Sequence, residues 1–97
     1  MADCTVRGTT YGYWAGDTGT DETTVNSGIV SLKGILCLFT ASAHTVTVKS
    51  KSDGKEVMVV TSTPSNWNVP IPFFGSRLNG ITVTLSNTTA RALFFTT

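Results

Sequence analysis

Charged side chains are scarce in this sequence, and so are the groups that carry out catalysis. Its 97 residues include seven Lys or Arg, six Asp or Glu, one His and two Cys. The net charge of +1 excludes the strongly basic surface that nucleic-acid binding requires. The charged fraction is 13%, against about 25% in an ordinary soluble domain. We therefore expect another chain to cover part of the surface, the alternative being that Thr, Ser and Asn keep it soluble unaided.

The sequence also lacks an apolar segment of the roughly 20 residues that cross a membrane as a helix. Residues 1–4 do not show the positive and apolar regions of a secretory signal, so we expect synthesis in a cytoplasm. In that reducing compartment Cys4 and Cys37 are expected to be free thiols. Cys37 is predicted to be a buried apolar residue and Cys4 to lie in a mobile N-terminal segment. The alternative, a Cys4–Cys37 disulfide, requires oxidation after release.

Threonine and β-branched residues fill the sequence, and apolar residues recur at a period of two. The clearest element is a β-hairpin in which residues 44–49 and 56–61 pair across an Asp53-Gly54 turn, with Val46 and Val48 facing inward. About seven or eight short strands separated by turns predict an all-β fold. We expect a single antiparallel β-sandwich or jelly-roll-like domain with an extended N-terminal segment.

The predicted domain divides near Gly28. Residues 15–28 are polar and rich in turn-forming residues, which predicts a long loop. Residues 9–14 read as a short strand before it. We therefore predict an N-terminal arm over residues 1–28 and a β-sandwich body over residues 29–97.

Two prolines mark one predicted strand as an edge. Pro70 and Pro72 fall at alternate positions of residues 67–74. Amides two residues apart on a strand face the same side, and proline has no N–H to donate. This stretch is therefore predicted to lie at a sheet edge, where prolines also prevent unwanted strand addition.

Large aromatic side chains are numerous for the thin core of so short a chain. Neighbours on a strand point to opposite faces, so Phe73 or Phe74, and likewise Phe94 or Phe95, must face away from the core. Some rings are therefore expected at an interface with another chain. The alternative is that both faces of these strands are buried within one chain. The predicted interface residues are Tyr11, Tyr13, Trp14, Trp67, Phe74 and Phe94.

Patterns of catalytic or metal-binding residues are weak. Asp17-Thr18-Gly19 matches the loop of retroviral-type aspartic proteases, but the apolar strand before it and the glycine-rich flap of that family are missing. The same acidic segment offers oxygen ligands for Ca²⁺ at a spacing that matches no EF-hand, namely Asp17, Asp21, Glu22 and Asn26. No candidate nucleophile and no set of metal ligands lies at a characteristic spacing from His44. We predict no catalytic residue, no metal site and no cofactor, and we expect that the chain is not an enzyme.

Five elements carry a resemblance to a known class of proteins: Val30–Ile35, the Asp53-Gly54 hairpin, Pro70–Phe74, Leu78–Leu85 and Leu93–Phe95. In this order they resemble small virion proteins of tailed bacteriophages, the capsid decoration (cement) proteins and related head or tail surface components. The residues before Gly28 have no counterpart there. The resemblance implies a structural protein, often trimeric, made in a host cytoplasm. It would bind the major capsid protein or another virion protein on the capsid surface and clamp neighbouring subunits.

Two other functions stay open at this point. The first is a carbohydrate- or receptor-binding β-module of a phage head or tail surface, with Tyr13, Trp14 and Trp67 as stacking platforms. The second is the aspartic protease, with Asp17 as its acid.

Overall fold

The fold is all-β. The computed structural model describes residues 3–16, 19–63 and 65–96, and for residues 74–76 it describes the backbone alone. The strands are β1 (Thr5–Gly8), β2 (Gly12–Gly16), β3 (Thr23–Phe39), β4 (Thr45–Ser50), β5 (Glu56–Thr61), β6 (Trp67–Leu85) and β7 (Arg91–Thr96). All strand pairs are antiparallel, which confirms the predicted antiparallel all-β class. This part of the chain contains no helix that could span a membrane.

The seven strands form one hydrogen-bonded sheet in the order β1-β2-β7-β3-β6-β4-β5. β3 has 17 residues and β6 has 19. A straight strand of that length would span about 60 Å, yet the longest dimension of the molecule is 33 Å. The two long strands therefore bend, and the sheet folds over towards itself.

Strand register divides the sheet into two halves on either side of this bend. We call β1, β2 and β7 with residues 32–39 and 67–76 the first half-sheet. We call β4 and β5 with residues 23–31 and 78–85 the second half-sheet. At the boundary the β3–β6 register shifts between Leu32 and Gly34, an irregularity of the kind that bends strands.

Apolar side chains from both half-sheets meet in one core. Inward positions alternate along each strand, as Val46 and Val48 do in β4. The predicted hairpin is confirmed, since β4 pairs with β5 and the N–H of Gly54 donates to the carbonyl of Ser50 at 2.9 Å. Gly54 has a φ of 70°, which glycine adopts without steric cost. The largest fully buried side chains include Phe39, Phe94, Leu32, Ile35, Ile81 and Leu85.

The N-terminal part differs from the prediction. β1 and β2 belong to the sheet, and β3 begins at Thr23. The loop predicted over residues 15–28 is thus wrong for residues 15–16, which end β2, and for residues 23–28, which begin β3. The boundary between the predicted arm and body lies inside β3. The physical reason is that Thr23 and Val25 fill buried strand positions beside β6, while register shifts around Asn26 absorb the turn-forming residues.

The two cysteines are free and buried. Cys37 lies in the core, as predicted, but the prediction for Cys4 was wrong. Cys4 is 5% exposed, and its N–H donates to the Thr23 hydroxyl at 3.1 Å. Register aligns Val6, Ala15, Ala92 and Cys37 on four adjacent strands. Cys37 thus lies three strands away from β1 in the sheet, and no disulfide joins it to Cys4 in this structure.

Candidate functional site

The N-terminal stretch of β6 is a sheet edge. Residues 67–76 pair with β3, whereas β4 pairs only with Ile81–Leu85 of the same strand. Among the described residues no strand pairs with the other side of this stretch. This confirms the edge predicted from Pro70 and Pro72. In the strand order β6 lies between β3 and β4, but β4 pairs only with its C-terminal part, so the N-terminal part is left as an edge.

The outer face of the first half-sheet is apolar. Residues directly opposite each other on antiparallel strands project to the same side of the sheet. One row across four strands consists of Trp14, Leu93, Leu36 and Pro70. The adjacent row contains Phe95, Gly34 and Pro72. We call this surface the apolar face and define it by Trp14, Leu36, Leu38, Pro70, Pro72, Leu93 and Phe95.

The side chains of the apolar face point away from the core. Trp14, Leu36, Leu93 and Phe95 are half-buried and do not belong to the core or to the partly buried residues that pack against it. Their neighbours along each strand, such as Ile35, Ala92 and Phe94, are buried on the opposite side. These strands are therefore apolar on both faces, and one of the two faces meets water.

A concavity of about 440 Å³ opens on the apolar face. It lies beside Gly34, which has no side chain to fill the space between its neighbours. A Cβ at this position would lie 3.1 Å from the carbonyl oxygen of Ile71, so even alanine would press on β6. The lining contains no charged residue and consists of Gly34, Ile35, Leu36, Pro70, Ile71, Pro72 and Phe95. A concavity of this chemistry accepts an apolar group.

Two arginines border the apolar face. The Arg7 guanidinium lies 4.0 Å from the centre of the Trp14 ring, and the two residues are directly opposite each other in β1 and β2. This is within the range of a cation–π interaction. Arg91 lies opposite Leu38. The aliphatic carbons of Arg91 pack over Gly16, and a Cβ added to Gly16 would lie only 2.9 Å from the Arg91 Cγ. The arginines thus give the apolar face a positive rim.

The outer face of the second half-sheet is polar along β4 and the paired part of β6, although Val59 and Ile29 are exposed on it. Thr47 lies opposite Thr84, and Lys49 lies opposite Thr82. The Thr82 hydroxyl donates to the Glu22 carboxylate at 2.7 Å. Apolar residues inward and polar residues outward are the usual arrangement of an antiparallel sheet with one wet face. The apolar face departs from this arrangement, and we therefore identify it as the candidate functional site.

The predicted interface residues fall in different places. Trp14 lies on the apolar face, and Tyr11 is 72% exposed next to it, at the turn between β1 and β2. Tyr13 and Trp67 pack against the core. The Tyr13 hydroxyl accepts a hydrogen bond from the Asn26 amide. Trp67 stacks on Phe39 with ring centres 6.3 Å apart.

The two phenylalanine pairs have different outcomes. Phe94 is 1% exposed and lies in the core, so its assignment to an interface was wrong, and Phe95 is the residue on the apolar face. The side chain of Phe74 lies outside the described residues. Leu36, Leu38 and Leu93 were missed as site residues. The signal for the first two was the run Ile35–Phe39, in which consecutive residues are apolar.

The residues considered for catalysis or metal binding do not come together in the described part of the chain. Asp17 and Thr18 lie outside it. Glu22 accepts the hydrogen bond from Thr82. Among the described residues no group of three or more His, Cys, Asp or Glu is placed to hold a metal ion. Burial raises the pKa of Cys37 to about 12, so its thiol is uncharged at neutral pH and is not a nucleophile.

Comparisons with protein-family models, with curated proteins and with solved structures gave no match to this chain.

Proposed function

We propose that this chain is a binding protein that docks its apolar face against another protein and catalyses no reaction. The observation that carries the proposal is the contrast between the two outer faces of one sheet. The outer face of the first half-sheet presents Leu36 and Leu93, whereas the outer face of the second presents Thr47 and Thr84. Each 100 Å² of apolar surface removed from water contributes about 2.5 kcal/mol. Covering the apolar face is therefore favourable, whereas the threonine-rich face is stable in water.

The geometry of the face suits a protein partner. The concavity beside Gly34 is able to take one apolar side chain as an anchor, and anchors in such pockets contribute most of the energy of protein interfaces. Trp14 is held in place by Arg7 before any partner arrives, so little side-chain entropy is lost on docking. Arg7 at the rim favours a partner with acidic groups around its anchor.

The partner that we propose is a capsid shell. This part of the proposal is supported by the resemblance of the elements after Gly28 to capsid decoration proteins. The chain would bind the major capsid protein or another virion protein on the outer surface of a phage. A shell presents many identical sites, so several weak contacts made at once give a high overall affinity. Because β1 and β2 belong to the sheet, Trp14 and Arg7 contribute to the docking surface itself.

A carbohydrate-binding module has less support. Sugar rings stack on aromatic faces that are open to water. Arg7 covers one face of Trp14, and Trp67 stacks on Phe39. Two of the three aromatic residues that would form the platform are thus already in contact with other side chains, and Tyr13 packs against the core.

Co-sedimentation tests the proposal. The purified chain is mixed with empty shells assembled from the major capsid protein that is encoded in the same genome. We expect the wild-type chain to pellet with the shells. Leu36→Asp should reduce the bound fraction at least tenfold, because it places a charge on the apolar face. Thr47→Asp, at an equivalent outward position of the second half-sheet, is the matched control and should bind as the wild type does.

Two results would refute parts of this proposal separately. A Leu36→Asp variant that is folded and pellets like the wild type would show that the apolar face is not the docking surface. A wild-type chain that stays in the supernatant at every concentration would show that the shell is not the partner. Circular dichroism of each variant establishes that the sheet is intact.

A further inference from the structure

A second surface, separate from the apolar face, is the free edge of β5. β5 is the last strand in the sheet order and pairs with β4 on one side. No strand in the described part of the chain pairs with its other side. Val59, in the middle of β5, is 51% exposed. An apolar strand edge with open backbone groups is a template for another strand.

The backbone groups of β5 that bond to β4 are those of alternate residues. The N–H of Ser62, just after β5, donates to the carbonyl of His44 at 2.8 Å. In an antiparallel pair such hydrogen-bonded positions recur at every second residue. Val60 and Met58 therefore bond to β4, and the N–H and C=O groups of Val59 and Thr61 face the open side.

The other side of β4 agrees with this alternation. The N–H of Ser86 donates to the carbonyl of Thr45 at 2.9 Å, so Thr45 bonds towards β6. Thr47, two residues further on, does the same opposite Thr84. Thr45 and Thr47 lie opposite Thr61 and Val59. Since these β4 residues use their backbone groups on the β6 side, those of Val59 and Thr61 have no partner in β4.

Other open edges of the sheet carry features that prevent strand addition. β1 has only four residues, one of them Arg7. The edge at residues 67–74 contains Pro70 and Pro72. Residues 23–31 of β3 contain two register shifts. Short strands, charges, prolines and bulges are the ways in which proteins block their edges. From Met58 to Thr61, β5 has none of them, because its register shift comes earlier in the strand.

We propose that β5 pairs antiparallel with β5 of a second copy of this chain, around a two-fold axis at Val59. Val59 then lies opposite Val59 of the second copy, and the two exchange a pair of backbone hydrogen bonds. Met58 lies opposite Val60, and Val57 lies opposite Thr61. These are apolar or β-branched pairs, which stabilise neighbouring strands. A two-fold interface needs a surface that is complementary to itself, and β5 meets that condition.

The charges of β5 also fit a second copy as the occupant. Glu56 is the only charged residue of the strand. In the proposed register it lies opposite Ser62, and Lys55 lies opposite Thr63, so no like charges meet. One strand edge is small against the standard interface of about 1,600 Å², so the dimer should dissociate on dilution. The proposal does not depend on the capsid shell, because the apolar face is not used.

Analytical ultracentrifugation over a concentration series tests the proposal with the purified chain alone. We expect the wild type to move from the monomer mass to twice that mass as concentration rises. Val59→Pro should weaken this association at least tenfold, since it removes an outward N–H that makes no bond within the chain. Val59→Thr keeps that N–H and should associate as the wild type does. If Val59→Pro does not fold, Val59→Lys serves instead, because it places two like charges opposite each other.

Hydrogen exchange gives an independent measurement. The amides of Val59 and Thr61 should exchange rapidly in dilute protein and slowly in concentrated protein. Those of Met58 and Val60 should be slow at both concentrations, because they bond to β4. A strictly monomeric wild type, a trimer of the kind that the phage resemblance implies, or exchange at Val59 that ignores concentration would overturn the proposal. Loss of the dimer in Leu36→Asp would overturn it as well, because the apolar face would then be the contact.

Discussion

Phe94 and Phe95 provide the most direct test of the two faces of the sheet, because they are neighbours on β7 with opposite environments. Phe94 is buried in the core, and Phe95 lies on the apolar face beside the concavity. The substitutions Phe94→Ala and Phe95→Ala remove the same atoms one residue apart. Any difference between them therefore comes from the side of the sheet on which the ring lies.

The expected magnitudes follow from burial. Replacing a fully buried phenylalanine with alanine costs about 3–5 kcal/mol, since it loses apolar burial and leaves a cavity. Phe94, at 1% exposure, should show this full cost. Phe95 is half-buried outside the core, so its truncation should cost about 1 kcal/mol. For a domain with a total stability of about 5–15 kcal/mol, Phe94→Ala leaves a marginal fold and Phe95→Ala a nearly normal one.

Urea unfolding followed by tryptophan fluorescence measures this difference. With a slope of about 1–3 kcal/mol per molar urea, the two variants should have midpoints separated by at least about 0.7 M. Phe95→Ala should in addition weaken docking to the partner, which Phe94 does not reach. Equal losses of stability, or a larger loss for Phe95→Ala, would refute the assignment of faces and with it the apolar face as a surface.

Two further predictions concern stability. Burial raises the pKa of Cys37 from 9.0 to about 12, so the stabilisation from keeping its thiol protonated is complete below pH 9 and is lost as the pH rises towards 12. Between pH 9 and 10.5 the unfolding free energy of the wild type should fall by up to about 1.4 kcal/mol per pH unit more than that of Cys37→Ala. Urea midpoints that change equally with pH in the two proteins would contradict this. Ala43 has a φ of 66°, which disfavours any side chain. Ala43→Gly should therefore raise the unfolding free energy by about 0.5–1 kcal/mol, whereas the control Ser42→Gly should give no gain, and a gain in both would point to a different cause.

Local patterns were sufficient for several elements. The Asp53-Gly54 turn and the alternation around Val46 and Val48 predicted the β4–β5 hairpin, because turn type and side-chain period are properties of neighbouring residues. Pro70 and Pro72 predicted a local edge for the same reason, since each proline lacks a donor wherever it lies. Burial of Cys37 followed from the apolar residues on both sides of it.

Local patterns could not predict the N-terminal part of β3. Residues 23–28 contain polar and turn-forming residues, yet they are strand because residues 81–83 of β6 pair with them. Register shifts at Asn26 accommodate the residues that would otherwise end a strand. A partner some 55 positions away in the chain leaves no signal in a local window, so tertiary pairing overrides propensity here.

Alternation required that one of Phe94 and Phe95 face outward, but it did not say which one. That choice depends on how β7 pairs with β2 and β3, which lie far from it in the chain. The apolar face has the same origin. Trp14, Leu36, Pro70 and Leu93 are widely separated in the sequence, and they form one surface only because the strand order brings them into a single row. Composition therefore indicated that apolar surface would be left over, whereas long-range hydrogen bonding between strands decided where it lies.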